Sequence, residues 1–250
     1  MFKNLNKNFK RIFIVMEKRI ITALDVPGAK EAYEAVKAIG AGVDYYKVGL
    51  ELFIADGPAV LKMLKEEGKK IFLDLKLHDI PRTVERAVSS CLKYDVDMLT
   101  IHSTGASAMI QGAAKAIKEA NSNTTILAVT VLTSLDQSDM TDIGVTRIVS
   151  DQVEALGKLA VANGAGGLVC SPKEVKVLRT VLGPNPVLVT PGVRPAGGDV
   201  GDQKRVATPG QAILDGSSYL VVGRPIMEAA DKYAAAMAIN DEVNAALASL

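Results

Sequence analysis

Eight short runs rich in β-branched and apolar residues punctuate the chain, at Arg19–Val26, Asp44–Leu50, Lys70–Leu77, Met98–Ser103, Thr125–Thr133, Gly167–Ser171, Val187–Val193 and Tyr219–Gly223. Each reads as a strand. Between them, stretches with helical spacing predict helices at Ala29–Ile39, Pro58–Glu67, Thr83–Lys93, Ala106–Ala120 and Gln152–Asn163, and a helix-like tail runs from Glu228 to Leu250. Alternation of this kind implies a parallel sheet covered by helices. Eight βα units within about 230 residues favour closure into a barrel over an open doubly wound sheet. No Gly-x-Gly-x-x-Gly follows the first strand, which weakens a dinucleotide-binding alternative. With no linker or low-complexity stretch, the predicted fold class is α/β, a single-domain (β/α)8 TIM barrel over residues 19–250.

Residues 1–18 fall outside that alternation. They are rich in lysine and asparagine, and the apolar patch Ile12-Phe13-Ile14-Val15 is too brief for a signal peptide and lacks a small-residue cleavage site. The segment is read as an extension, with Met16 an alternative natural start.

Composition narrows the function classes. A length of 250 residues suits one α/β barrel, and 48% hydrophobic with 23% charged residues is an ordinary soluble, enzyme-like balance that excludes disorder and collagen. Net charge is +1 and aromatics are 4% with no tryptophan, which argues against a nucleic-acid partner. An anionic ligand must therefore be met by a local site. Two distant cysteines, Cys91 and Cys170, form no disulfide framework and point to a reducing cytoplasm. Two histidines without C-x-x-C leave little for a zinc site, so no metal is expected. No run approaches the roughly 18 apolar residues of a membrane helix, so no membrane association is expected.

The strand ends carry the chemistry. Asp25 ends the first, Lys47 the second, Asp74 and Lys76 the third, His102 the fourth, Thr133 and Ser134 the fifth and Ser171 the sixth, while Arg194 and Arg224 follow the seventh and eighth. One polar strand end alone is explained by a helix cap or turn. In a barrel, however, these ends converge on the mouth where active sites sit. Along Ile71–Asp79, alternation puts Ile71, Leu73, Leu75 and Leu77 on one face and Phe72, Asp74, Lys76 and His78 on the other. Asp74 and Lys76 then project into the mouth together, and Lys47 adds a second cation. A structural ion pair is one reading; proton transfer or control of a substrate charge is the other. Asp79, just ahead of Pro81, reads either as a further member of the array or as a cap for the following helix.

After the seventh strand comes a long glycine-rich loop, Pro191–Arg205, and Val222-Gly223-Arg224-Pro225 closes the eighth. Barrels commonly hold phosphate here. Small residues let backbone N–H groups approach an anion, Gln203 can donate a hydrogen bond, and Arg224 can pair with phosphate oxygens in a bidentate manner. A bland surface loop is the alternative reading, but a glycine-rich loop also has the mobility required of a lid.

Taken in order, Ala23-Leu24-Asp25, Lys47-Val48-Gly49, Phe72-Leu73-Asp74-Leu75-Lys76-Leu77-His78-Asp79-Ile80-Pro81-Arg82-Thr83, Val131-Leu132-Thr133-Ser134, Thr190-Pro191-Gly192-Val193-Arg194-Pro195, Gly201-Asp202-Gln203-Lys204-Arg205 and Val222-Gly223-Arg224-Pro225 resemble the orotidine 5′-phosphate decarboxylase family. The resemblance runs from about Arg19 to the C-terminus. One departure is Arg82, where the family usually has asparagine.

The resemblance implies cofactor-free decarboxylation of orotidine 5′-monophosphate to uridine 5′-monophosphate, the last step of de novo pyrimidine synthesis. It implies Lys76 as proton donor to C6, held by Asp74, within a Lys47–Asp74–Lys76–Asp79 array whose Asp79 comes from the partner subunit of a homodimer. Asp25 and Lys47 would bind ribose hydroxyls, and Thr133 and Ser134 the pyrimidine edge. Ile80 and Thr83 would reach the neighbour's ligand, and Arg194, Gln203, Gly223 and Arg224 would hold the phosphate. Two alternatives stand beside it: a magnesium-dependent sugar-phosphate decarboxylase or aldolase of the same superfamily, and a non-catalytic phosphoribosyl-binding barrel.

Overall fold

Side chains alternate across a strand, so each strand of a barrel feeds one core inside and another beneath the helices. The computed structural model describes residues 18–195 and 207–250 and has this arrangement. Its strands are β1 (Ile20–Ala23), β2 (Tyr45–Gly49), β3 (Lys70–Leu77), β4 (Met98–His102), β5 (Thr125–Val129), β6 (Gly167–Val169), β7 (Val187–Thr190) and β8 (Tyr219–Val222). They pair in sequence order, all parallel, and β1 closes on β8 to complete a (β/α)8 TIM barrel. The N-terminal extension up to residue 17 and the 196–206 stretch, with Gln203, lie outside the described residues.

The barrel interior is filled by Ile21, Ala23, Tyr45, Phe72, Met98, Leu127, Val189 and Val221, none more than 7% exposed. On the opposite faces of the same strands, Ile20, Tyr46, Val48, Ile71, Leu73, Leu99, Ile101 and Leu168 pack against the helical layer. Their partners there include Val36 and Ile39 of helix Ala29–Ile39, Leu61 and Leu64 of helix Leu50–Glu66, and Val84 and Val88 of helix Pro81–Cys91. All eight predicted strands are present. Several are shorter at the C-terminal end than the apolar runs suggest, because the chain leaves the ladder at the rim while its side chains remain buried, as at Val131.

The second helix departs from its predicted start at Pro58. It begins at Leu50, directly after β2, and kinks at Asp56 (φ −141°) before continuing to Glu66. Pro58 sits just past the kink, where a missing N–H costs little. The Asp56 carboxylate accepts the Ala29 backbone N–H at 2.8 Å, so the kink also ties this helix to the first. Short helices at Gln137–Asp142, Val175–Leu182 and Pro209–Leu214 add to the predicted set.

At the N-terminal end of β7 and β8, Arg179 acts as a clamp. Its guanidinium donates to the carbonyls of Gly183, Pro184, Pro186 and Gly216 and to Ser218 Oγ, at 2.7–3.3 Å. Only a planar group with five donors can satisfy so many oxygens at once.

Gly167 occupies an inward position of β6. A Cβ there would collide with the Val187 carbonyl oxygen and stand 2.8 Å from Leu127 Cδ2. Gly167→Ala is therefore expected to cost about 3 kcal/mol of stability through overpacking. Denaturant unfolding checks this, and an unchanged midpoint would show that β6 relaxes freely.

Candidate active site

The C-terminal ends of the strands surround a cavity of about 740 Å³, a size suited to a small-molecule ligand. Its wall brings together Asp25, Lys47, Asp74, Lys76, Thr133, Ser134, Arg194, Gly223 and Arg224 from strands and strand ends far apart in sequence. These are the predicted site residues, apart from Gln203 and the group Asp79, Ile80 and Thr83.

The centre of the site is a run of alternating charge. Lys76 Nζ donates to Asp74 Oδ2 at 2.8 Å. Lys47 Nζ approaches the same oxygen at 3.8 Å and donates to Asp25 Oδ1 at 3.0 Å. Register explains the meeting, since Lys47 lies opposite Ala23 on β1 and opposite Phe72 on β3, two residues before Asp74. The side chains of Lys47 and Asp74 are only 12% and 10% exposed, so their charges depend on one another for compensation. Gly49 makes the packing possible: a Cβ there would stand 2.9 Å from Lys47 Nζ.

Lys76 reaches this position by leaving regular strand geometry. Its φ is +49°, in the left-handed region, and the β3–β4 register shifts between Leu73 and Leu77. For a lysine such a conformation costs on the order of 1 kcal/mol, and it is tolerated where the surroundings over-determine it. The displaced Lys76 N–H donates to Thr100 Oγ1 at 2.8 Å, and that hydroxyl donates to Asp74 Oδ1 at 3.0 Å. Thr100, fully buried on β4, is a residue the sequence reading overlooked.

Arg194 and Arg224 also line the cavity, together with Gly192 and Gly223. Gly192 has φ +78°, which carries the chain out of β7 and over the mouth. Its continuation is pinned where Arg194 N–H donates to the Ala207 carbonyl at 3.0 Å, so residues on either side of the 196–206 stretch meet. The apolar part of the cavity lining includes Phe72 and Val221 of the barrel core, with Val129, Val131 and Val169. Glu228, exposed on the rim, also lines the cavity and was absent from the predicted set.

Asp79, Ile80 and Thr83 stand apart from the cavity of their own chain. All three are exposed, Ile80 at 68%. The helix after β3 is capped by Ile80 without a side-chain hydrogen bond and has Pro81 in its first turn; Asp79 Oδ1 accepts only the neighbouring Ile80 N–H, at 2.6 Å. Asp79 is thus no helix cap. His102 and Ser171, the other strand-end residues, likewise have local tasks. The His102 ring lies 5.4 Å from that of His78, and burial, reinforced by His78 and Lys76, lowers its pKa below the usual imidazole value, keeping it neutral at neutral pH. The Ser171 N–H is held by the Glu174 carboxylate at 2.8 Å.

Known proteins resemble this chain in sequence and in fold. The family model for orotidine 5′-phosphate decarboxylase / HUMPS matches residues 18–239. An orotidine 5′-phosphate decarboxylase of Moorella thermoacetica is 47% identical over 231 residues, covering 90% of this chain and 92% of its own. One from Rhodopseudomonas palustris (strain HaA2) is 48% identical over 225 residues, covering 90% and 94%. The crystal structure of orotidine 5′-phosphate decarboxylase from Lactobacillus acidophilus superposes with a TM-score of 0.81 at 38% identity, covering 91% of this chain and all of that one. With a closed barrel, a Lys–Asp–Lys array at its mouth and relatives of this similarity along nearly its whole length, the chain belongs to the orotidine 5′-phosphate decarboxylase / HUMPS family.

Proposed function

We propose that this protein decarboxylates orotidine 5′-monophosphate to uridine 5′-monophosphate without a cofactor, the last step of de novo pyrimidine synthesis. The observation that carries the reading is the Lys47–Asp74–Lys76 array, with Lys76 Nζ 2.8 Å from Asp74 at the cavity wall. When the bond from ring C6 to the carboxylate breaks and CO2 departs, its electron pair stays on C6 in the ring plane, where no π-system delocalises it. An ammonium facing C6 stabilises that charge and then delivers the proton, after which Lys76 is reprotonated from solvent. Asp74 orients the ammonium. The apolar lining around Phe72, Val129 and Val169 would strengthen these charges by excluding water.

The rest of the cavity wall suits a nucleotide. Arg194 and Arg224 form the cationic end for the phosphate, with Gly223 beside them, and Gln203 is assigned to the same anion. Asp25 and Lys47 are assigned to the ribose hydroxyls, and Thr133 with Ser134 to the pyrimidine edge. Binding energy from the distant phosphate can then lower the barrier at C6.

Asp79, Ile80 and Thr83 are assigned to the partner's site in a homodimer. Their exposure and separation from their own cavity support this, as does the apolar Ile80 standing 68% exposed. A cytoplasmic setting fits the buried thiols of Cys91 and Cys170, which are not joined in a disulfide.

The position of Lys47 favours this reading over the magnesium-dependent sugar-phosphate branch. Its ammonium lies between the Asp25 and Asp74 carboxylates, at 3.0 and 3.8 Å, where it compensates their charge and would repel a divalent cation. Turnover of orotidine 5′-monophosphate, followed spectrophotometrically, should therefore proceed undiminished in excess EDTA. Loss on chelation with recovery in magnesium would move the assignment to the other branch.

The shared site is tested by mixing subunits. Lys76→Ala and Asp79→Ala homodimers should each be nearly inactive. After subunit exchange about half the dimers are mixed, each with one complete site, so roughly a quarter of wild-type sites should return. No recovery despite verified exchange would return Asp79 to the site of its own chain.

A further inference from the structure

Thr100 supplies a hydroxyl that touches both Asp74 and Lys76. Donating to Asp74 Oδ1 at 3.0 Å and accepting from Lys76 N–H at 2.8 Å, it closes a ring of hydrogen bonds completed by Lys76 Nζ on Asp74 Oδ2 at 2.8 Å. We infer that Thr100 is a positioning residue: its buried hydroxyl fixes the Asp74 carboxylate and the Lys76 backbone together, and so sets where the Lys76 ammonium stands.

Three observations carry this. First, the site needs an acceptor at that point. The register shift between Leu73 and Leu77 takes Lys76 out of the regular ladder, and the Thr100 side chain accepts the N–H in place of a backbone carbonyl. Second, Lys76 is held at φ +49°, so the orientation of its side chain depends on whatever secures its backbone. Third, the two oxygens of Asp74 are divided. Oδ2 faces the ammonium groups of Lys76 and Lys47, while Oδ1 is taken by Thr100, which locks rotation of the carboxylate about its own axis.

A threonine in a strand interior is ordinarily accounted for by β-propensity and packing, which valine would serve equally well. Thr100 differs because it is fully buried with both hydrogen bonds made to charged residues of the site. The inference rests on the proposed decarboxylation, in which Lys76 delivers a proton over a short distance and small displacements are costly. Thr100 touches neither C6 nor the nucleotide in this account; it acts through its two neighbours.

The test compares Thr100→Val, which keeps the shape and removes the hydroxyl, with Thr100→Ser, which keeps the hydroxyl and removes the methyl. Wild-type turnover of orotidine 5′-monophosphate is measured alongside, as is binding of the product uridine 5′-monophosphate by calorimetry. Thr100→Val is expected to lower kcat about a hundredfold while KM and product affinity change less than about threefold. Thr100→Ser should recover most of that loss. Parallel declines in kcat and product affinity would overturn the inference in favour of general structural damage, and so would equal losses in the valine and serine variants. Should Thr100→Val fail to fold, Thr100→Ala against Thr100→Ser provides the same contrast, and equal kcat in those two overturns the role. No turnover by the wild-type enzyme would instead bring down the functional reading, and the positioning role with it.

Discussion

An aspartate only 10% exposed at its side chain, inside a barrel, is the constraint around which this site is arranged. Left unpaired, Asp74 would carry a desolvation cost that no nearby packing could offset. Its compensation comes from three different strands or strand segments: Lys47 from β2, Lys76 from the end of β3 and Thr100 from β4. Satisfying one buried group therefore brings neighbouring parts of the sheet together at the rim, and one of the ammonium groups that neutralise it is the proposed proton donor.

The barrel makes such an arrangement affordable in conformational terms. Closure of β1 on β8 gives every strand two neighbours, while the alternating cores inside and outside hold the framework independently of the charged mouth. Charge and strain are concentrated where β3 loses its regular register, above the inner layer formed by Phe72, Met98 and Leu127. The far end is secured separately by the Arg179 clamp across the β7 and β8 approaches.

Much of this was legible in the sequence because it follows from periodicity. The eight strands stand out as apolar runs, and a barrel necessarily gathers their ends, so Asp25, Lys47, Asp74, Lys76 and Arg224 could be assigned to one mouth. What escaped depends on register or on chains too short for periodicity. Thr100 looks like any strand threonine until the β3 irregularity brings it opposite Lys76 N–H. Gly49 gains its meaning only from the space taken by Lys47 Nζ, and helix Gln137–Asp142 spans too few residues to show a hydrophobic face. Pro58 misled for a local reason, since a proline that normally opens a helix here resumes one after the Asp56 kink.

The left-handed backbone at Lys76 sets the demands of stability and chemistry against each other at a single position. Conformation alone favours glycine there, because glycine adopts positive φ without penalty. Glycine, however, carries no ammonium and would leave Asp74 with Lys47 as its remaining cation, at 3.8 Å. Under the proposed mechanism, a sturdier main chain and a working site thus ask for different amino acids at residue 76, a tension typical of positions where strain is retained for function. Engineering that ranks substitutions by backbone comfort alone would find its apparent improvement at the residue that the proposed chemistry can least spare.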